Sequence, residues 1–365
     1  MKVLRWLIFG IFLMYMGACS QNNPPKSDVP VEKRNLFVAN VDELYGFIDE
    51  QGNMLIPPKF DIAYRFKNGF APVRVGDKWG FIDKSGAYLI EPTYSQVTPF
   101  RYGFARVQVD DKWGYVDSTG KLVFQPIYDV ANQFSEGLAV VCLDGKFGAI
   151  NRNGTLVIQP KFEKAYHFLQ GMAVVRLDGN WGYIDSTGKM VVPAKFEKAE
   201  NFSQGRAMVQ LGDKWGFIDK SGAFIAEPQY DDAWIFLDGL ARVKKDGKWG
   251  YIDSTGNMAI QPQFEQALNF TNGTARIAEN GKWGYIDKSG KVIIQPQFEN
   301  AMPFSEGLAQ VMVDGKWGYI DSTGSMIIQP QFDKASNFEE GVALVITDGV
   351  SGYIQKSGNY IWHGK

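Results

Sequence analysis

From residue 38 to the C-terminus, apolar and polar positions alternate in short runs broken by turn residues at fixed offsets. Residues 240–273, LARVKKDGKWGYIDSTGNMAIQPQFEQALNFTNG, show the pattern. Leu240–Lys244, Lys248–Asp253 and Asn257–Ile260 alternate with period two and read as strands. Asp246-Gly247 between the first two favours positive φ at both positions and predicts a tight type I′ hairpin. Asp253-Ser254-Thr255-Gly256 predicts a second turn, the aspartate accepting backbone bonds and the glycine taking the left-handed conformation. The unit is thus expected to be a three-stranded antiparallel meander. In its first strand Ala241 and Val243 match apolar residues elsewhere, whereas Arg242 and Lys244 occupy variable positions.

A connector follows in which an aromatic, a small residue and a phenylalanine stand three apart, here Phe264, Ala267 and Phe270. This spacing suits one helical or 3₁₀ turn laid on the sheet, with both aromatics plugging the core between units. Gly250, in mid-strand, predicts a close approach, for which an aromatic ring of the adjacent unit is the expected neighbour.

The unit repeats every 34 residues without insertion. Trp79-Gly80, Trp113-Gly114, Trp181-Gly182, Trp215-Gly216, Trp249-Gly250, Trp283-Gly284 and Trp317-Gly318 share one register with Tyr45-Gly46, Phe147-Gly148 and Ser351-Gly352. Such a chain is a repeat array in which each unit packs on its neighbours. Helical repeats of the same period are excluded by the glycines, the mid-unit proline and the period-two alternation. The expected architecture is all-β: stacked three-stranded meanders forming an elongated array, with propeller-like closure as the alternative. The degenerate last anchor, Val350-Ser351-Gly352, reads as a cap on about nine full repeats. The tryptophan column reads as core, with an exposed binding ladder as the other possibility.

The string Lys-Trp-Gly-aromatic-Ile-Asp, followed by Ile-x-Pro-x-Phe and Phe-x-x-Gly-x-Ala, is carried by residues 248–277 and 282–311 and, with small changes, by seven more units. It resembles the bacterial WG-repeat (KWG) family. The resemblance implies an exported or lipid-anchored protein and supplies no catalytic residues.

Lys2 and Arg5 precede an apolar run over residues 6–16, too short to span a bilayer comfortably. Gly17-Ala18-Cys19 then resembles the lipobox of bacterial lipoproteins, with Met16 in place of the usual leucine. Residues 1–18 therefore read as a lipoprotein signal peptide, and Cys19 as the lipidated residue that brings the chain to a membrane. Residues 19–37 read as a flexible tether and 38–365 as the repeat domain. Ser20, rather than aspartate, after the cysteine favours the outer membrane by the same resemblance.

The net charge of −2 becomes more negative once Lys2 and Arg5 leave with the signal peptide, so nucleic acid is not an expected partner. With Cys19 lipidated, Cys142 stands alone, and neither a disulfide framework nor a cysteine zinc site is expected. Two histidines, His167 and His363, without ligand spacing argue against a metal site and a Ser-His-Asp triad. Gly182 to Lys189 is one residue too long for a phosphate loop and recurs along the chain as a turn. The repeated turn aspartates supply one carboxylate each, too few for calcium. No cofactor and no catalytic residue is expected.

The remaining candidates are Trp234, an aromatic outside the column, and the neighbouring acids Asp231 and Asp232. These residues suit a non-enzymatic binding or scaffold module for an unknown protein or envelope glycan. The alternatives are a glycan hydrolase using the paired carboxylates and a purely structural spacer.

Overall fold

The computed structural model describes residues 35–364, which are all β and turn. Signal peptide, Cys19 and most of the tether lie outside the described residues. Ten antiparallel sheets follow one another along the chain. The first holds Phe37–Val41, Leu44–Ile48 and Met54–Phe60. Each of the other nine has four strands; the seventh consists of Asp232–Ala233, Leu240–Lys245, Lys248–Asp253 and Met258–Phe264.

The fourth strand is where sequence and structure part. The connector is not a helical turn: its centre is a two-residue strand, Gln266-Ala267 in the eighth sheet, pairing with Ala278 and Ile277. Because this strand belongs to the next sheet, every connector ties one sheet to the following one.

The turns form as their residues dictate. Asp246 and Gly247 have φ of 51° and 78°, as the type I′ hairpin requires. Asp253 Oδ1 accepts the Thr255 and Asn257 amides at 2.8 and 3.1 Å, while Gly256 has φ 88°.

Both faces of each sheet are buried against neighbours. Tyr251, Ile260 and Phe264 of the seventh sheet pack with Ala267, Phe270, Ala275, Ile277 and Ile286 of the eighth. Each such large apolar side chain contributes roughly 1.5–3 kcal/mol through burial. The Tyr251 hydroxyl donates to the Leu268 carbonyl at 2.7 Å, so the ring is buried without an unsatisfied polar atom.

The mid-strand glycine has a cause inside its own sheet. A Cβ on Gly250 would lie 2.5 Å from the Ile260 carbonyl oxygen and 2.7 Å from the Pro262 nitrogen. The register between the third and fourth strands shifts at this point, and the displaced backbone crosses over the glycine. The neighbour is therefore that backbone and not an aromatic ring of the adjacent unit.

The array closes. Phe37, Ala39 and Ile48 of the first sheet share a core with Val342 and Tyr353 of the last. The Tyr353 hydroxyl donates to the Val38 carbonyl at 3.2 Å, and Arg65 pairs with Glu339. Ten sheets arranged as blades of a closed β-propeller replace the elongated array, and the closure alternative is the one observed. The last unit is not a half-unit cap: Lys334–Ala335, Val342–Thr347, Val350–Gln355 and Tyr360–His363 make a complete four-stranded blade.

Candidate binding surface

In five blades a side chain of the turn after the two-residue strand accepts amides of the same turn in the next blade. Glu136 accepts the Gln170 and Gly171 amides at 2.6 and 2.7 Å. Gln170, Gln204 and Asp238 accept the amides of Gly205, Gly239 and Gly273 in turn. The two-residue strand is one edge of each four-stranded blade, termed the inner edge below, and the proline-bearing strand is the opposite edge, where a missing amide is tolerated.

Along the inner edge the chain alternates. Ala131, Ala165, Ala199, Ala233, Ala267 and Ala301 are buried between blades. The residue after each one changes from blade to blade: Asn132, Tyr166, Glu200, Trp234, Leu268 and Met302. Architecture fixes the alanine and leaves its neighbour free to vary.

Trp234 stands in this row, 46% exposed. The Arg242 guanidinium lies 5.0 Å from its ring centre and 4.9 Å from that of Trp249, sandwiched between the two. Arg242 also donates to the Ala267 carbonyl of the next blade at 2.6 Å. Tyr64 stacks on Trp79 at 5.2 Å and 10°, and Tyr166 packs tilted against Trp181 at 5.4 Å and 31°. The tryptophan column is thus neither buried core nor free ladder. Trp317 is buried; the six others are half-buried, packed on the margin of each inter-blade core on the face opposite the glycine.

Asp231 and Asp232 have a different setting. Asp231 accepts Lys214 Nζ at 2.5 Å and the Gly247 amide at 3.4 Å. The Lys214 bond, foremost, holds the Asp231 carboxyl below its ordinary range. Asp333 does the same with Lys316 and the Asp348 amide, so this acid pins the following hairpin. Asp232 caps its neighbour, accepting the Ala233 amide at 2.8 Å. Asp231 lies at the bend before the two-residue strand and Asp232 within it, and the two carboxylates accept from different partners.

One feature of the inner rim was not legible in any single repeat. Arg101, Tyr102, Arg106, Asn132, Gln133, Tyr166 and His167, from three consecutive blades, line a cavity of about 480 Å³. Burial lowers the His167 pKa, with Glu136 opposing. No group of three potential metal ligands occurs among the described residues. Cys142 is free and buried.

A closed ring of ten antiparallel blades, nine of them four-stranded, defines a β-propeller. Family comparison then fixes the class of repeat: the WG containing repeat matches nine times in succession, from residues 45–79 to 317–350, and the chain belongs to that family. No relative with a curated description matches by sequence. Among solved structures, a eukaryotic initiation factor is 11% identical with TM-score 0.57, covering 91% of this chain and 95% of its own. Dihydro-heme d1 dehydrogenase NirN is 12% identical with TM-score 0.41, covering 93% of this chain and 75% of its own. At these identities the first likeness shows the fold alone, and the second carries no argument.

Proposed function

We propose that this WG-repeat propeller is a non-enzymatic binding or scaffold module, exported and lipid-anchored through Cys19 in the bacterial outer membrane, that takes a protein or envelope glycan on its inner rim. The observation that carries the reading is the inner-edge row: a buried alanine fixed by packing beside a displayed residue free to differ in every blade. Propellers present such convergent rims to ligands, and the exposed aromatics Trp234, Tyr166 and Tyr64 suit a flat apolar face. The lipobox-like Gly17-Ala18-Cys19 and the following Ser20 support the anchor and its membrane.

Asp231 and Asp232 lend little to a hydrolase. A general acid needs a raised pKa, and Asp231 is held low by Lys214. The test has two arms. Mature protein should partition into detergent and lose this on Cys19→Ala; unchanged partitioning removes the anchor. Envelope glycans and extracts should be bound without turnover, and binding should weaken when Trp234 is replaced by Ala. Glycan cleavage that disappears in Asp231→Asn and Asp232→Asn would make it a hydrolase, and no binding at all would make it a spacer.

A further inference from the structure

We infer that the cavity between the third, fourth and fifth blades is a binding site for an acidic saccharide, its carboxylate facing Arg101 and Arg106 and its ring facing Tyr102 and Tyr166. The inference rests on the reading of the inner rim as the binding surface and names its ligand chemistry.

Three observations carry it. The first is charge. Arg101 and Arg106 line the cavity, and Lys67 joins Arg101 and Tyr102 around an adjoining one. Glu136, in the turn of the middle blade, accepts the Gln170 and Gly171 amides with its two carboxylate oxygens. In the ninth and tenth blades the same turns carry Glu306, Glu339 and Glu340, where Glu339 pairs with Arg65, so the basic sector at Arg101 and Arg106 is local.

The second is shape and aromatic content. About 480 Å³ suits a small ligand. Tyr102 is 67% and Tyr166 38% exposed, large aromatic surfaces that the fold leaves uncovered at one place. Asn132 and Gln133 line the same wall, with Gln133 held by donating to Thr98 Oγ1 at 2.7 Å. Guanidinium, aromatic face and side-chain amide together match a carboxylate, a sugar face and hydroxyls.

The third separates saccharide from peptide. An extended peptide held by strand addition needs unpaired backbone at the sheet edge. Here that edge is taken: Arg106 donates to the Ala131 carbonyl at 2.5 Å, and the Tyr115 hydroxyl to the Asn132 carbonyl at 2.7 Å.

The test is calorimetric titration of the full chain with trigalacturonate, with neutral trigalactose and with a short poly-glutamate peptide. Trigalacturonate should bind at least about ten-fold more tightly than the other two, with an affinity that falls with added salt. Arg101→Glu and Tyr166→Ala, both at exposed side chains, should each weaken it about ten-fold or more with unchanged thermal melting. Glu340→Gln, in the acidic sector, should leave it unchanged. Equal binding of trigalactose or poly-glutamate, or indifference to Arg101→Glu and Tyr166→Ala, overturns the assignment. The broader module reading is separable: envelope-glycan binding that is lost on Trp234→Ala but unaffected by Arg101→Glu keeps that reading and removes this one.

Discussion

The ring of Phe37 stands 5.3 Å from that of Tyr353 and joins the first blade to the last. At the other joints, except after the fourth blade where the column holds Ala149, the aromatic in the Tyr353 column meets the connector phenylalanine of the following blade, as Tyr251 meets Phe270 at 4.8 Å and Tyr319 meets Phe338 at 4.9 Å. Phe37 itself occupies a column that is alanine in the other nine blades, from Ala71 to Ala343. A large side chain at a normally small position thus supplies the aromatic contact of the closing joint from the neighbouring strand.

Phe37→Ala should therefore weaken closure more than an average surface change. Phe37 is 8% exposed, and truncating such a ring costs about 3–5 kcal/mol where the site cannot collapse. Denaturant unfolding should show the loss, and small-angle scattering should show a larger radius for the opened ring. An unchanged midpoint and radius would mean that Arg65–Glu339 and the Tyr353 hydroxyl bond suffice for closure.

Gly250→Val tests the crossing backbone. With Ile260 O 2.5 Å from the new Cβ and Pro262 N at 2.7 Å, no side chain can swing away to make room. The fourth strand must shift, at a cost of about 1–3 kcal/mol or more. Gly145→Ala makes a useful comparison, because nothing lies within 4 Å of its Cβ and any loss comes from φ 75° alone. Equal thermal shifts for the two would contradict close packing at Gly250.

How much of this was readable in the chain depends on where each feature is decided. Asp246-Gly247 and Gly256 settle their own turns locally, and both hold. Gln266-Ala267 could not be read as a strand, because two residues show no period and their extended form comes from pairing with Ala278 and Ile277. Ring closure depends on small rotations between blades, which no single unit encodes. The one available hint was Phe37 breaking an alanine column. Trp234 stood out because it lies off the tryptophan register, and it is exposed. The basic cavity escaped notice because Arg101, Gln133 and Tyr166 belong to three repeats and meet only when the blades stack.

The turn aspartates predict acid sensitivity. Hydroxyl bonds from Thr119, Thr187, Ser221, Thr255, Ser289 and Thr323, foremost, lower the pKa values of Asp117, Asp185, Asp219, Asp253, Asp287 and Asp321. A carboxylate with a depressed folded pKa contributes stability that is full above its unfolded value, near 4, and is lost as pH falls through the folded value. Thermal melting should thus be flat from neutral pH down to about 5 and drop below about 4. Asn151 shows what an uncharged residue does here: it accepts the Asn153 and Thr155 amides at 3.0 Å each. Asp253→Asn should then fold and should reduce proton uptake on acid unfolding. An unaltered pH slope would place the sensitivity elsewhere.

Trp234 and Arg242 touch, yet their substitutions should report different things. Trp234 is half exposed, and its removal forfeits a cation–π contact of roughly 0.5–1 kcal/mol. Arg242 reaches across the joint to the Ala267 carbonyl, and its removal leaves that carbonyl without its partner, at about 1–3 kcal/mol. Trp234→Ala should barely move the melting temperature while weakening glycan or envelope-extract binding. Arg242→Ala should lower the melting temperature, and Arg242→Lys should rescue it only in part, since an ammonium cannot stack flat between two indoles while donating to a carbonyl. Were Trp234→Ala to destabilise the fold as much as Arg242→Ala and leave binding intact, Trp234 would be a packing residue and the inner rim would lose its most exposed tryptophan as a ligand contact.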